Sequence, residues 1–322
     1  MPSYLAAWLF WAGLPFGALP IVMLVDLSGP GAGYALDVAL RRLLWLAPIA
    51  ALLLIPVLAA PQSLYGWAGG HGFSTPFGRT WMTHGPFIWR SIIELVLWAG
   101  LAAYFSRPPR LHTINRRRFI AAWGLLIYAL TITTASADWA MAVEPNWTSA
   151  IFGFLFAASQ ITIAVAAATL LCGADWRVAV PEAPAAFLMA ATTLWLFFQF
   201  IQFLVVWSGD KPNEIIWYLH RGGLGSTIAI CIALLAGVAA PLVMLLSWRL
   251  RRHPRILPVS AMLVLLSQAL GMLWLITPSF RRHFAVDVMD ILLLAGLGAL
   301  ACGVCLLPGP VRHPILKGPT HA

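Results

Sequence analysis

The chain has 322 residues, of which 61% are hydrophobic and only 10% are charged. A soluble domain carries roughly 25% charged residues, so this composition excludes an ordinary water-soluble globular protein. Uninterrupted apolar runs of about 20 residues instead predict α-helices that cross a bilayer core of roughly 30 Å.

Nine such runs follow one another along the chain. They lie near residues 4–26, 43–60, 87–106, 119–138, 149–172, 185–207, 225–247, 257–278 and 286–307. We therefore predict an all-α polytopic transmembrane bundle of about nine helices (8–10), forming a single integral membrane domain over residues 1–322. The first run has no basic segment before it and no small-residue cleavage site, so we expect it to be a helix of the mature protein.

The net charge of +9 does not indicate nucleic-acid binding, because the basic residues lie in short loops beside the apolar runs. When the loops are numbered from the N-terminus, the odd loops and the C-terminal tail hold most of the 20 Lys and Arg residues, including Arg41, Arg42 and Arg116 to Arg118. Since cytoplasmic loops are enriched in Lys and Arg, this pattern predicts an N-terminus outside the cytoplasm and a C-terminus inside it.

Polar side chains within the predicted spans are costly, so each is a candidate for function. Arg90 and Glu94 lie four residues apart at the start of the third span, and we expect them to pair with each other. Gln199 and Gln202 share one face of the sixth span, and further amides, Gln160 and Gln268, lie in the fifth and eighth. Such amides either join neighbouring helices or bind a quinone carbonyl or a chain of water molecules.

Another group of candidates follows the fourth span. Asp138 ends that span, and Trp139, Glu144 and Trp147 come after it in a loop that contains no Lys or Arg. Both carboxylates are candidates for a proton path.

Two further carboxylates lie near span ends. Asp290 begins the last span, and we expect it to form a local ion pair with the preceding basic segment from Arg281 to His283. Asp26, near the end of the first span, is expected to be interfacial and hydrated, with a role in proton entry as the alternative.

Redox and metal centres are not indicated. Haem in membrane subunits needs axial His ligands within helices, whereas the eight His residues fall in loops, at span ends or in the tail. The four Cys residues lie inside or at the ends of apolar runs, where small buried hydrophobes are expected rather than a disulfide or a zinc site. We therefore expect no catalytic residue and no metal, haem or iron–sulfur group bound by this chain.

One segment is long enough to suggest a family. Residues 136–153, SADWAMAVEPNWTSAIFG, resemble the D-W-x-M-S-L-x-P-x-W-x-S-T-x-F-G run of the second quinone-binding membrane subunit of alternative complex III (ActF-type), within the NrfD/PsrC-like superfamily. Further segments match in the same order: YLAAWLFW from Tyr4, LYGWA from Leu64, PFIWR from Pro86, WLFFQFIQFLVVW from Trp195, NEIIW from Asn213 and LWLITPS from Leu273.

The resemblance implies paired four-helix bundles and membership of a respiratory quinol:cytochrome c oxidoreductase in the bacterial inner (cytoplasmic) membrane. Iron–sulfur and cytochrome c subunits would be the partners that carry electrons, while this chain contributes quinone-side surface, a proton path or both. Matched residue by residue, Asp138, Trp139, Glu144 and Trp147 are the first candidates, followed by Gln202. Two other functions stay open: an independent proton or solute transporter, and an assembly or scaffold protein for an oxidase.

Overall fold

The computed structural model describes residues 1–28, 34–70, 76–107, 114–144, 147–172, 182–209, 212–251, 253, 255–281 and 284–306. Within these ranges all regular secondary structure is helical, and nine helices are long and apolar enough to cross a membrane. The all-α class and the predicted number of spans are thereby confirmed for the described residues. These features are those of a multi-pass membrane protein.

We number the nine long helices α1 to α9 in chain order. They are α1 Pro2–Ser28, α2 Leu36–Ala59, α3 His84–Phe105, α4 Ile114–Trp139, α5 Phe152–Cys172, α6 Glu182–Gly209, α7 Gly225–Leu246, α8 Ile256–Ile276 and α9 Val288–Leu306. Shorter helices connect some of them, namely Pro76–Trp81, Pro212–His220 and Trp248–Arg251.

Two of the long helices are irregular. The chain around α2 begins as the helix Tyr34–Leu43, tightens at Leu44–Leu46 and continues as Ala47–Leu52 and Ile55–Ala59. In α7 a π-helical turn, Leu235–Ala239, precedes Pro241. A π-helical turn leaves the regular hydrogen-bond ladder locally, and such turns are frequent at functional sites.

Helix α1 lies at the centre of the bundle and packs against α2, α4, α5, α8 and α9. Small residues let the helices approach closely, as is typical of helix packing in membranes. A side chain at Gly17 would collide with the backbone of Gln160 on α5, and one at Gly237 would collide with Ser267 on α8. These glycines therefore fix the α1–α5 and α7–α8 contacts.

Buried charges hold one end of the bundle together, which we call the Asp26 end. The Asp26 carboxylate accepts hydrogen bonds from Arg41 at 2.6 Å and from Arg117 at 2.6 Å. Both guanidinium groups also donate to the carbonyl oxygen of Phe105 at the end of α3. The prediction that Asp26 is hydrated is therefore wrong: its side chain is only 3% exposed, because arginines from the starts of α2 and α4 enclose it.

The same cluster explains why helix formation near α2 begins before the predicted run. The sequence placed this span at 43–60, whereas the helix Tyr34–Leu43 precedes it directly. Arg41 pairs with Asp37 one turn earlier, at 2.8 Å, as well as with Asp26. Charged residues that the sequence pattern assigns to a loop are thus tolerated in a partly buried helix, because they form ion pairs there.

The opposite end of the bundle, which we call the Asp138 end, contains the predicted pair at the start of α9. Arg281 donates to both oxygens of Asp290, at 2.8 and 3.0 Å, and to Ser3 of α1 at 3.2 Å. The predicted local ion pair is confirmed for Arg281, and it joins α9 to α1. Arg282 and His283 lie outside the described residues.

Candidate functional site

The first group of candidate residues joins α3 to α4. The buried Asp138 carboxylate accepts hydrogen bonds from Arg90 Nε at 2.7 Å and Nη2 at 3.1 Å, and from the Trp81 indole at 3.2 Å. The guanidinium also lies over the Trp81 ring, 4.2 Å from its centroid. We call Trp81, Arg90 and Asp138 the Arg90 cluster. The predicted pairing of Arg90 with Glu94 is wrong, because Asp138 offers both of its oxygens to the fork of the guanidinium.

Glu94 lies one turn deeper between the same two helices. Its Oε1 accepts a hydrogen bond from Thr134 at 2.5 Å, and its Oε2 is buried without a hydrogen-bond partner among the described residues. Toward the Asp26 end, the Trp98 indole donates to Thr131 at 2.8 Å. The buried hydroxyl of Tyr128 has no hydrogen-bond partner among the described residues. A line of polar groups therefore follows one face of α4.

Trp139 serves the packing of this region. Its indole donates to Ser91 on α3 at 3.0 Å, and its ring meets Trp8 and Trp98 edge to face at 5.2 and 5.6 Å. The hydroxyl of Tyr65 donates to the Trp139 carbonyl at 3.1 Å, and burial raises the pKa of Tyr65. Tyr65 is thus kept as a neutral donor, and Trp139 is a core residue of the α1–α3–α4 contact.

The second group surrounds Glu144, beyond the end of α4. Glu144 Oε1 lies 3.2 Å from Arg221 Nη1 and accepts a hydrogen bond from Ser279 at 2.8 Å. Its Oε2 is 3.7 Å from Nδ1 of His220, whose side chain is 56% exposed. The loop that appeared to lack basic partners therefore receives an arginine from 77 residues further along the chain.

Arg221 itself is 3% exposed. Besides Glu144, its guanidinium binds the Leu275 carbonyl at 2.7 Å and the Ser279 hydroxyl at 2.9 Å, and lies 3.8 Å from the centroid of the Trp217 ring. Burial lowers the pKa of Arg221 to about 10 against the opposing effect of Glu144, so the side chain is charged at neutral pH. We call Glu144, Trp217, Arg221 and Ser279 the Arg221 cluster.

A cavity of about 100 Å³ opens beside the Arg221 cluster, enclosed by α5, α6, α7 and α8. Four tryptophans line it, and three of them, Trp147, Trp217 and Trp274, contact one another through Trp217 and form what we call the aromatic wall; the fourth is Trp195 of α6. Six amide or hydroxyl side chains also line it: Ser159 from α5, Gln199 and Gln202 from α6, Ser267 and Gln268 from α8, and Tyr218 from the helix Pro212–His220. The remaining lining is mostly apolar, as in sites for small organic molecules.

Two of the amides that line the cavity have their oxygens occupied. Gln202 Oε1 accepts a hydrogen bond from Ser149 at 2.5 Å, and Gln268 Oε1 accepts one from Ser159 at 2.8 Å. These hydroxyls occupy the amide oxygens, and neither amide nitrogen donates within the described part of the chain. Since an amide nitrogen carries two N–H donors, the cavity presents unused donors from two different helices. Gln160 differs, because its nitrogen donates to the Leu9 carbonyl at 3.2 Å.

The ten candidate residues from the sequence thus fall into separate places. Trp147, Gln199 and Gln202 line the cavity with Glu144 beside it, whereas Arg90, Glu94, Asp138 and Trp139 lie between α3 and α4. Asp26 and Asp290 lie in ion pairs away from both groups.

Sequence reasoning did not single out Arg221, Trp217 or Trp274. The only signal for these tryptophans was their place in two of the quoted segments, NEIIW and LWLITPS. Arg221 was counted only among the loop charges.

Comparison with protein-family models gives no match for this chain, and no curated protein matches it. The resemblance to the alternative complex III subunit is therefore carried only by the sequence segments quoted above.

Proposed function

We propose that this chain is a membrane subunit of a respiratory quinol:cytochrome c oxidoreductase of the alternative complex III type, and that the cavity between α5 and α8 receives a quinone ring. The observation that carries the proposal is the pair of unused amide donors, from Gln202 and Gln268, in a cavity walled by indole rings. A quinone ring is flat and apolar, and it carries two carbonyl acceptors. Aromatic stacking and two N–H donors suit this chemistry.

The cavity is too small to admit a quinone ring unless side chains at its edge move. At about 100 Å³ it is smaller than the apolar cavity of about 150 Å³ that admits benzene in another protein. Side chains at its partly exposed edge, such as Gln199, Ile230 and Leu234, must therefore move when the ring enters. The π-helical turn of α7 directly follows Leu234, which puts an irregular segment beside this edge.

Binding of a small naphthoquinone, menadione, to the purified full chain in lipid nanodiscs tests the ring site. Quenching of tryptophan fluorescence is expected to saturate, and Gln202→Leu and Gln268→Leu are each expected to weaken binding up to about tenfold through the loss of one hydrogen bond. Gln160→Leu is the matched control, because that amide does not line the cavity. Quenching that never saturates, or that is equal in all variants, would reject the ring site.

Membership of a respiratory assembly is supported by the quoted segments and by the lack of His ligands within the predicted spans. Haem and iron–sulfur groups would belong to partner subunits, and the chain itself would contact lipid and other membrane subunits. Gentle extraction of the native protein, followed by mass spectrometry and a haem spectrum, should reveal cytochrome and iron–sulfur partners. A pure single chain without haem would contradict the assembly.

A proton path between α3 and α4 is the second candidate function. It is motivated by Glu94, whose Oε2 is buried and unpartnered among the described residues, and by the polar line through Thr134, Thr131 and Tyr128. Ionisable groups at such depth are costly and often carry protons. Glu94→Gln is expected to abolish proton release that accompanies quinol oxidation by the native complex.

The control for the proton path is Thr133→Val. Thr133 is on the exposed side of α4, and its hydroxyl donates to the Ala129 carbonyl of the same helix, so proton release should be unchanged. If Glu94→Gln releases protons at the wild-type rate, this path is excluded.

The two remaining alternatives are distinguished by simple outcomes. An independent transporter would move protons or solute in liposomes that contain only this chain. An assembly or scaffold protein would associate transiently with an oxidase and be absent from the mature enzyme.

A further inference from the structure

Arg221 connects three parts of the chain that form one rim of the cavity. It lies between the short helix Pro212–His220 and the start of α7, and Gly223, in a left-handed backbone conformation (φ +110°), follows it closely. Its guanidinium reaches Glu144 beyond α4 and the Leu275 carbonyl and Ser279 at the end of α8. The segments that meet at this side chain are far apart in sequence, so its contacts determine how they lie relative to one another.

The same side chain supports the aromatic wall. The guanidinium, the Trp217 ring and the Trp147 ring form successive layers, with 3.8 Å from the guanidinium carbon to the Trp217 centroid and 4.5 Å between the ring centroids. The two rings are nearly parallel, at 17°. Trp274 meets Trp217 edge to face, with the centroids 5.4 Å apart.

The backbone of Arg221 holds the third ring as well. Its carbonyl accepts the hydroxyl hydrogen of Ser226 at 2.5 Å, and the Ser226 oxygen accepts the Trp274 indole N–H at 3.0 Å. Three of the four tryptophans that line the cavity, Trp147, Trp217 and Trp274, are therefore linked to Arg221, by stacking or through one intermediate group.

We propose that Arg221 is a positioning residue that sets the spacing and tilt of the cavity's aromatic wall, with Glu144 fixing its guanidinium. This inference rests on the proposed ring site and names the residue that shapes it. The role requires a planar cation. A guanidinium can stack on an indole and bind a carboxylate and a carbonyl at once, whereas a lysine ammonium is a point charge that has no such plane.

Arg221→Lys is the decisive variant, because it keeps the charge that Glu144 needs and removes the plane that Trp217 needs. We expect menadione binding to the full chain in nanodiscs to weaken roughly tenfold. We also expect a change in the circular dichroism signal that arises from the coupling of the stacked Trp147 and Trp217 indoles. The variant Trp147→Phe removes one of the two indoles and so shows independently which part of the spectrum belongs to this stack. Arg90→Lys is the matched control, since Arg90 also pairs with a buried carboxylate and covers a tryptophan, but that tryptophan, Trp81, does not line the cavity, whereas Trp217 does.

A milder variant guards against a chain that does not fold. Ser279→Ala removes the hydroxyl that joins Glu144 to Arg221 and keeps both charges, and it should weaken binding by roughly threefold. If wild-type binding saturates and responds to Gln202→Leu, yet Arg221→Lys and Ser279→Ala bind menadione normally, the positioning role is overturned while the ring site stands. If the wild type shows no saturable binding, the ring site itself fails and the inference fails with it.

Discussion

The Arg90 cluster and the Arg221 cluster each contain an arginine, a tryptophan and a carboxylate, and both lie at the same end of the bundle. In each, an arginine lies over a tryptophan ring, at 4.2 Å for Trp81 and 3.8 Å for Trp217, and binds a carboxylate that follows or ends α4. Their surroundings differ. The Arg90 cluster lies outside the cavity lining, whereas Trp217 of the Arg221 cluster forms part of the cavity wall.

The difference is also visible in the hydrogen bonds. Asp138 accepts three donors from Arg90 and Trp81, which ties α3, α4 and the helix Pro76–Trp81 together. Arg221 instead shares its contacts among several segments, and its Nε is buried without a partner among the described residues. A buried ion pair is therefore a weak guide to function by its composition alone. The space next to it distinguishes a structural tie from the rim of a site.

The largest expected effect comes from breaking the structural tie. Asp138→Ala leaves Arg90 partly buried without its carboxylate, and removing one partner of a buried pair costs about 3–5 kcal/mol of stability. The thermal unfolding midpoint of the purified protein in detergent should therefore fall. The midpoint of Asp138→Asn should fall less, because the amide keeps one acceptor oxygen. A midpoint equal to that of the wild type in both variants would show that the tie contributes nothing to the fold.

Replacing the tryptophan of each cluster by leucine compares the two clusters directly, and the expected effect on stability is intermediate. Trp217→Leu and Trp81→Leu each remove a ring from beneath a guanidinium, an interaction of about 1–2 kcal/mol, so both variants should lose stability, and Trp217→Leu should lose more because its buried ring also packs on Trp147 and Trp274. Menadione binding should separate them, because only Trp217 lines the cavity. We expect at least roughly tenfold weaker binding for Trp217→Leu and unchanged binding for Trp81→Leu. Equal loss of binding in the two variants would erase the distinction between the clusters.

Sequence reasoning predicted the number of spans and the all-α class because both depend on local composition. Apolar runs of the right length specify helices whatever their neighbours are. The start of α2 was misplaced for the opposite reason: Arg41 is accommodated there by Asp37 and by Asp26, which lies in another helix.

The candidate site was predictable only in part. Intramembrane cost selected Gln202 and Glu94 as candidates, and both side chains are buried in the fold, but the partners of charged residues depend on packing between distant segments. Helical spacing favoured Arg90 with Glu94, and the fold instead brings Asp138 within 2.7 Å. Glu144 and Arg221 are 77 residues apart, and no sequence periodicity relates them. The sequence therefore did not predict that they meet at the rim of the cavity.

The smallest expected effect tests the polar line between α3 and α4, the feature that motivates the proposed proton path. Thr134→Val removes the hydroxyl that donates to Glu94 at 2.5 Å and keeps the shape of the side chain, so stability should fall by about 1 kcal/mol. Thr133→Val, one residue earlier and on the exposed side of the helix, should change stability by less than about 0.5 kcal/mol. Chemical denaturation of both variants in the same detergent measures the difference. Equal stabilities would mean that the Thr134–Glu94 hydrogen bond does not stabilise the fold. The contrast between the polar contact of α3 with α4 and the cavity between α5 and α8 would then be supported by the Arg90 cluster alone.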